Sequence, residues 1–159
     1  MSPGARRCSL ALAADADVLV MAAAVADFRP AEASESKMKK SDDGSSPVIV
    51  LERTEDVLAT AVRTRAAGGP MAPLIVGFAA ETGDAESSVL EYGRAKLARK
   101  GCDLLVVNEV GVGVTFGQDA STVHLLRPGV PGEMTVGPAD KGVVAHAILD
   151  VVRDAIADA

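Results

Sequence analysis

Val18-Leu-Val-Met21-Ala-Ala-Ala-Val-Ala-Asp27-Phe-Arg-Pro30 is the stretch on which the reading of the fold turns. Val18 to Met21 is a short apolar run of the kind that fills a buried strand. It ends in small residues, which let a ligand approach the backbone, and then in Asp27, Arg29 and a proline. In an open α/β sheet, ligands bind beyond the carboxyl ends of the strands. Lys37-Met-Lys-Lys40 follows in a Ser/Glu-rich stretch that can fold over such a site as a lid. Together these features point to an enzyme that handles anions.

Outward from this stretch, strand and helix patterns alternate. Phe28 to Pro47 reads as a polar loop, and Val48-Ile-Val-Leu51 as a second strand. Thr54 is a candidate N-cap, with Glu55 and Asp56 in the first turn of a helix that Gly68-Gly69-Pro70 stops. Leu74 to Phe78 reads as a strand, Asp84 to Lys100 as a capped helix closed by Gly101, and Asp103 to Val107 as another strand. Thr122–Leu126 and Glu133–Val136 form an expected hairpin. Pro138 opens an expected last helix, with Val143, Val144, Ala147, Ile148, Val151 and Val152 on one stripe. Alternation at this spacing predicts an α/β domain with a mainly parallel sheet and a C-terminal antiparallel hairpin.

The chain has 159 residues, enough for one core, and only 3% of them are aromatic, so Ala, Val and Leu must build that core. No apolar run reaches the roughly 18 residues of a membrane span. A formal net charge of −6 argues against a general nucleic-acid binder. Cys8 and Cys102 have no thiol near them in sequence, so neither a zinc site nor a disulfide framework follows, and Cys102 reads as a small buried hydrophobe. The cytoplasm is the expected compartment.

The candidate motifs each have a plainer reading. Gly111-Val-Gly113-Val-Thr-Phe-Gly117 follows a strand, but its spacing does not fit a dinucleotide loop. Lys96 and Lys100 share a helix face, and on periodicity alone a solvated face that complements the helix dipole is favoured. Lys37, Lys39 and Lys40 read most simply as a solvated loop. Two basic clusters and Asp27 near strand ends, however, can grip a polyphosphate and its metal. Phe78 ends a strand and is a candidate either for core or for a base-stacking platform. His124 and His146 fit no catalytic or metal-ligand spacing and read as structural.

Six ordered blocks carry a resemblance: Ala23–Pro30, Lys37–Lys40, Thr54–Leu58, Val76–Thr82, Ala95–Gly101 and Asp103–Asn108. From about Ala16 onward the chain resembles phosphopantothenoylcysteine synthetase, the phosphopantothenate–cysteine ligase found as the C-terminal half of a bifunctional bacterial flavoprotein of coenzyme A biosynthesis. The resemblance implies a Rossmann-like three-layer fold and a CTP-dependent ligation through an acyl cytidylate. It implies that Met21, Ala22, Ala23 and Asp27 line the nucleotide site, and that Lys37 acts on a lid around the intermediate. Glu55, Asp56, Val57, Leu58 and Phe78 would surround cytosine and ribose, and Lys96 and Lys100 would hold the triphosphate with Mg²⁺. No metal ligand is assigned, and no FMN is expected on this part of the chain. Implied partners are phosphopantothenate, cysteine, a second copy of the chain and a flavin-dependent decarboxylase half, with no nucleic acid or membrane.

The family's opening strand, glycine-rich turn and Asn-bearing Ser-Ser-Gly segment are not found here. The expected division is therefore an unassigned segment over 1–15 and a synthetase domain over 16–159, incomplete on its N-terminal side. Two alternatives stand beside the ligase reading. One is a catalytically incomplete CTP-binding fragment, and the other is a flavin or nicotinamide oxidoreductase domain, which the missing dinucleotide fingerprint disfavours.

Overall fold

The apolar run that ends at Met21 is strand β1 (Val18–Met21). The computed structural model describes residues 10–23, 25–32, 46–111 and 119–157. Two short strands, β2 (Phe28–Pro30) and β3 (Leu51–Arg53), pair antiparallel as a separate ribbon. The main sheet adds β4 (Leu74–Glu81), β5 (Leu104–Glu109), β6 (Ala120–Leu126) and β7 (Met134–Asp140), in the order β1-β4-β5-β6-β7. Strands β1, β4 and β5 run parallel, with Val18 opposite Leu74 and Val76 opposite Leu104. Strands β6 and β7 complete the sheet as an antiparallel hairpin, so the expected architecture is the one formed.

Leu104-Leu-Val-Val107 is apolar at every position because β5 is covered on both faces. Helices α1 (Val57–Ala66) and α2 (Val89–Lys100) bring Leu58, Ala61 and Leu97 onto Ile75, Ala79, Leu105, Val107 and Leu126. Helix α3 (Lys141–Ala157) packs Val144, Ile148 and Val152 on Val76, Leu104, Val106, Val123 and Leu125 of the opposite face. These three helix positions recur every four residues and form the buried stripe; Val143, expected on it, is exposed. Cys102 is fully buried between sheet and helices, and burial pushes its thiol pKa up.

Glycine sets how closely the layers approach. A Cβ on Gly93 of α2 would lie 2.8 Å from a Val107 methyl and 2.9 Å from a Leu126 methyl. A Cβ on Gly77 of β4 would lie 2.6 Å from Leu58 Cδ2. The opposite end of the sheet is clasped by Asp103. Its carboxylate accepts from both terminal nitrogens of Arg65, at 2.6 and 2.9 Å, and from the Ile75 N–H at 2.7 Å.

Further expectations change. Val48 to Leu51 does not enter the main sheet: only Leu51 is in a strand, and its partner Phe28–Pro30 is a strand and not part of a loop. Pro30 sits at the end of a ribbon, where a missing N–H is tolerated. The N-cap of α1 is Asp56, which accepts from the Ala59 N–H at 3.0 Å, and not Thr54. The N-cap of α2 is Ser88, in a capping box with Glu91, and not Asp84; Asp84 instead accepts from the Glu86 and Ser87 N–H groups and from the Tyr92 hydroxyl. Pro138 lies inside β7, and the last helix begins at Lys141.

Candidate active-site cleft

Small residues after β1 leave room above its carboxyl end, and the first turn of α1 and the last turns of α2 close the sides. The result is a cleft of about 270 Å³. Met21, Ala23, Val25 and Asp27 form one wall, and Thr54 to Leu58 form another. Phe78, Ala79 and Ala80 continue from β4, Leu105 lies beneath, and Lys96, Arg99 and Lys100 face inward from α2.

Two contacts fix the wall that carries Asp27. The Thr54 N–H donates to the Asp27 carbonyl at 2.9 Å, and the Thr54 hydroxyl donates to the Ala26 carbonyl. Thr54, read as a cap, is thus a tie between the chain leaving β1 and the chain entering α1. Glu55 accepts from the Thr60 hydroxyl at 2.9 Å, which steadies the turn.

Both cleft lysines are held by carboxylates. Lys100 pairs with Asp56, and Lys96 with Glu81, the last residue of β4. Burial works against the Asp56 charge, but the hydrogen bonds from Lys100 and the Ala59 N–H outweigh it and hold this carboxyl below the usual carboxylate range. Arg99 makes no ion pair with a described residue. Asp27, Glu55 and Asp56 therefore face Lys96, Arg99 and Lys100 across one cavity. Such a site can neutralise an anionic group while its carboxylates take hydroxyl or amino groups of the same ligand.

Met21, Ala23, Asp27, Glu55, Asp56, Val57, Leu58, Phe78, Lys96 and Lys100 all line this one cleft. The Phe78 ring packs on the α3 side of the core, as its core reading has it, and also borders the cavity. Ala22 is not in the cleft; it lines a shallow apolar groove beside β1 with Leu12, Ala13 and Leu19. Lys37 lies outside the described residues, as do Lys39, Lys40, Gly113 and Gly117. Arg99 and Glu81 were not singled out from sequence. Arg99 had a signal, since it lies three residues beyond Lys96 on the same helix face. His124 is buried, 2.9 Å from the Thr135 hydroxyl and 3.7 Å from Glu109, while His146 contacts its own helix at the Gly142 carbonyl. Neither histidine reaches the cleft lining.

Fold and cleft together define a three-layer α/β domain with a charged cleft at the carboxyl ends of parallel strands, where open α/β sheets bind ligands. The chain belongs to the family described as DNA/pantothenate metabolism flavoprotein C-terminal domain, whose model matches residues 6–156. It is 59% identical over 141 residues to the coenzyme A biosynthesis bifunctional protein CoaBC of Mycolicibacterium smegmatis, covering 88% of this chain and 34% of the relative. Identity to the CoaBC protein of Mycobacterium tuberculosis is 53% over 138 residues, covering 86% and 32%. The chain thus spans about a third of the length of the curated relatives it matches. Among solved structures, the C-terminal domain of a CoaBC protein superposes with a TM-score of 0.70 at 25% identity, over 99% of this chain and 64% of that one. A Streptococcus pneumoniae flavoprotein of DNA/pantothenate metabolism shares the fold, with a TM-score of 0.69 at 18% identity over 94% and 68%.

Proposed function

We infer that this chain is the synthetase unit of coenzyme A biosynthesis, with residues 16–159 as its domain, joining phosphopantothenate to cysteine at the expense of CTP. The observation that carries the reading is the single cleft that gathers Lys96, Arg99, Lys100, Phe78 and the Glu55–Leu58 turn. Names of the CoaBC relatives place them in the same biosynthesis.

In the first step, a carboxylate oxygen of phosphopantothenate attacks the α-phosphorus of CTP. A P–O bond forms, the α–β bridge breaks, and pyrophosphate leaves with its electron pair. In the second step, the cysteine amine attacks the acyl carbon, the C–O bond to the cytidylate breaks, and CMP leaves as the amide forms and the ammonium proton is lost. Lys96, Arg99 and Lys100 neutralise the phosphates and hold the α-phosphorus in line with the attacking carboxylate. Phe78 and the Glu55–Leu58 turn frame base and ribose, and Lys37 acts around the acyl cytidylate.

Among the described residues, no group of three His, Cys, Asp or Glu side chains can hold a metal. The donor set therefore suits Mg²⁺ carried on the triphosphate oxygens, where it offsets phosphate charge, better than a protein cage. No described helix is long and apolar enough to cross a membrane.

Calorimetric titration with CTP, ATP, NADH and FMN, each with Mg²⁺, tests the reading. CTP is expected to bind more tightly than the other three. Equal affinity for CTP and ATP refutes the pyrimidine site, and preferential binding of NADH or FMN favours an oxidoreductase. A second reading, CTP binding without turnover, draws on the position of β1 as the outermost strand beside an open apolar groove. Pyrophosphate release in the presence of CTP, phosphopantothenate and cysteine separates the two.

A further inference from the structure

Glu81 has no place in the mechanism above, yet it sits where the mechanism's cations are. It ends β4, the strand beneath the cleft, and its side chain is only 16% exposed. Its Oε1 is sealed from solvent and takes no aligned hydrogen bond; it contacts the Lys96 ammonium as an ion pair. Glu109 stands directly opposite Glu81 on β5, so two carboxylates occupy adjacent positions on one sheet face. Like charges so placed repel. Lys96 from α2 and, at 3.7 Å from Glu109, His124 from β6 flank them.

We propose that Glu81 is a positioning residue that holds Lys96 as an internal counter-ion and sets how strongly an anion must bind to enter the cleft. The proposal rests on the nucleotide reading of the cleft. An anion that reaches Lys96 must draw the ammonium from Glu81 or share it. A half-buried carboxylate at this strand end cannot follow, because its backbone is paired with Glu109 of β5 and its carbonyl accepts from the Val110 N–H at 2.9 Å. The same contact fixes the side chain of Lys96, which would otherwise lose its rotamer freedom only when ligand binds. Weak anions are therefore turned away, while a polyphosphate with several charges overcomes the competition. Asp56 is less free to act this way on Lys100, since it also caps α1.

The test is calorimetric titration of the intact chain, its Glu81→Gln and Lys96→Met variants, and the double variant, with Mg²⁺ present. Pyrophosphate and CTP are the charged probes, and cytidine is the uncharged control. Glu81→Gln keeps the shape and removes the charge, so it is expected to bind pyrophosphate and CTP more tightly, on the order of three- to fivefold, the scale of a partly exposed ion pair. Cytidine binding is expected not to change. In the Lys96→Met background the gain should vanish. A damaged fold lowers affinity, so a gain cannot arise from misfolding. Unchanged or weaker binding by Glu81→Gln overturns the proposal, and so does a gain that persists without Lys96. A wild-type chain that binds neither charged probe refutes the nucleotide reading itself, which sets that failure apart from a wild-type chain that binds while the variant gains nothing.

Discussion

Replacing Gly77 by alanine tests whether the distance between sheet and α1 is what shapes the cleft. The new methyl would lie 2.6 Å from Leu58 Cδ2, with Cys102 Sγ and Leu105 Cδ1 each at 3.3 Å. Ordinary contact begins near 3.4 Å, so Leu58 must retreat by about 0.8 Å. Leu58 is buried against Ala61 and Ile75, and close-packed interiors leave little room for that retreat. Overpacking of this kind costs about 1–3 kcal/mol. Alanine recovers roughly 0.5–1 kcal/mol of the backbone entropy that glycine loses in a strand. The net expectation is a loss of about 0.5–2 kcal/mol and a melting temperature lower by ~1–8 °C, at 2–4 °C per kcal/mol for a domain of this size. The assay is thermal and urea unfolding of Gly77→Ala, Leu58→Ala and the double variant. Leu58→Ala removes the atoms that clash, so in its background Gly77→Ala should cost less than about 0.5 kcal/mol. Since Leu58 and Leu105 line the cleft, CTP affinity should fall with stability in the single variant. A Gly77→Ala chain as stable as wild type, or additive single effects, would refute the close-approach argument.

Lys100→Ala is expected to weaken CTP binding by roughly 1.5–3 kcal/mol, the range for a charged hydrogen bond, as read by calorimetry; unchanged affinity would remove Lys100 from the site. Asp56→Ala should destabilise by about 1 kcal/mol through loss of the α1 cap, whereas Asp56→Ser, which can still cap, should cost only the exposed ion pair. The folded state depresses the Asp56 carboxyl, so its charge stabilises above the unfolded value of 3.8 and that contribution is lost as pH falls through the lower folded value. Urea midpoints for wild type and Asp56→Ser should therefore differ equally at pH 7 and pH 5 and converge in stronger acid. Light scattering at micromolar concentration should give twice the chain mass, and Ile49→Lys should halve it. The apolar row Val48-Ile-Val-Leu51 is exposed, as is Phe28 of β2.

The parallel strands were legible because burial on two faces leaves uninterrupted apolar runs such as Leu104 to Val107. The same signal misled at Val48 to Leu51, where an apolar run lies exposed beside a ribbon instead of in the core. Periodicity records apolarity and not what covers it. The helix caps were ambiguous by position: Thr54 and Asp84 are good capping types, and each has a second candidate a few residues on. Ser88 followed by Glu91 carries the capping-box signature in the sequence and decides the case at α2. Lys96 and Lys100 were legible as a helix face. Ala22 lies just past the end of β1 and lines the groove beside that strand instead of the cleft. Glu81 was not legible, since its pairing with Lys96 depends on how α2 docks on the sheet.

The order of strands bears on how the domain assembles. Strands β6 and β7 are joined by seven residues, Arg127 to Glu133, whereas 52 residues separate Met21 from Leu74. For a flexible chain, closing the longer loop costs about 1.8 kcal/mol more. Among the described residues, strand β1 also has a neighbour on one side only, and β4 and β5 have neighbours on both. Amide hydrogen exchange should therefore find β1 opening at lower free energy than β4 or β5. The floor of the cleft forms with the slowly exchanging centre of the sheet, and its Met21–Asp27 wall belongs to the part that joins last and opens first.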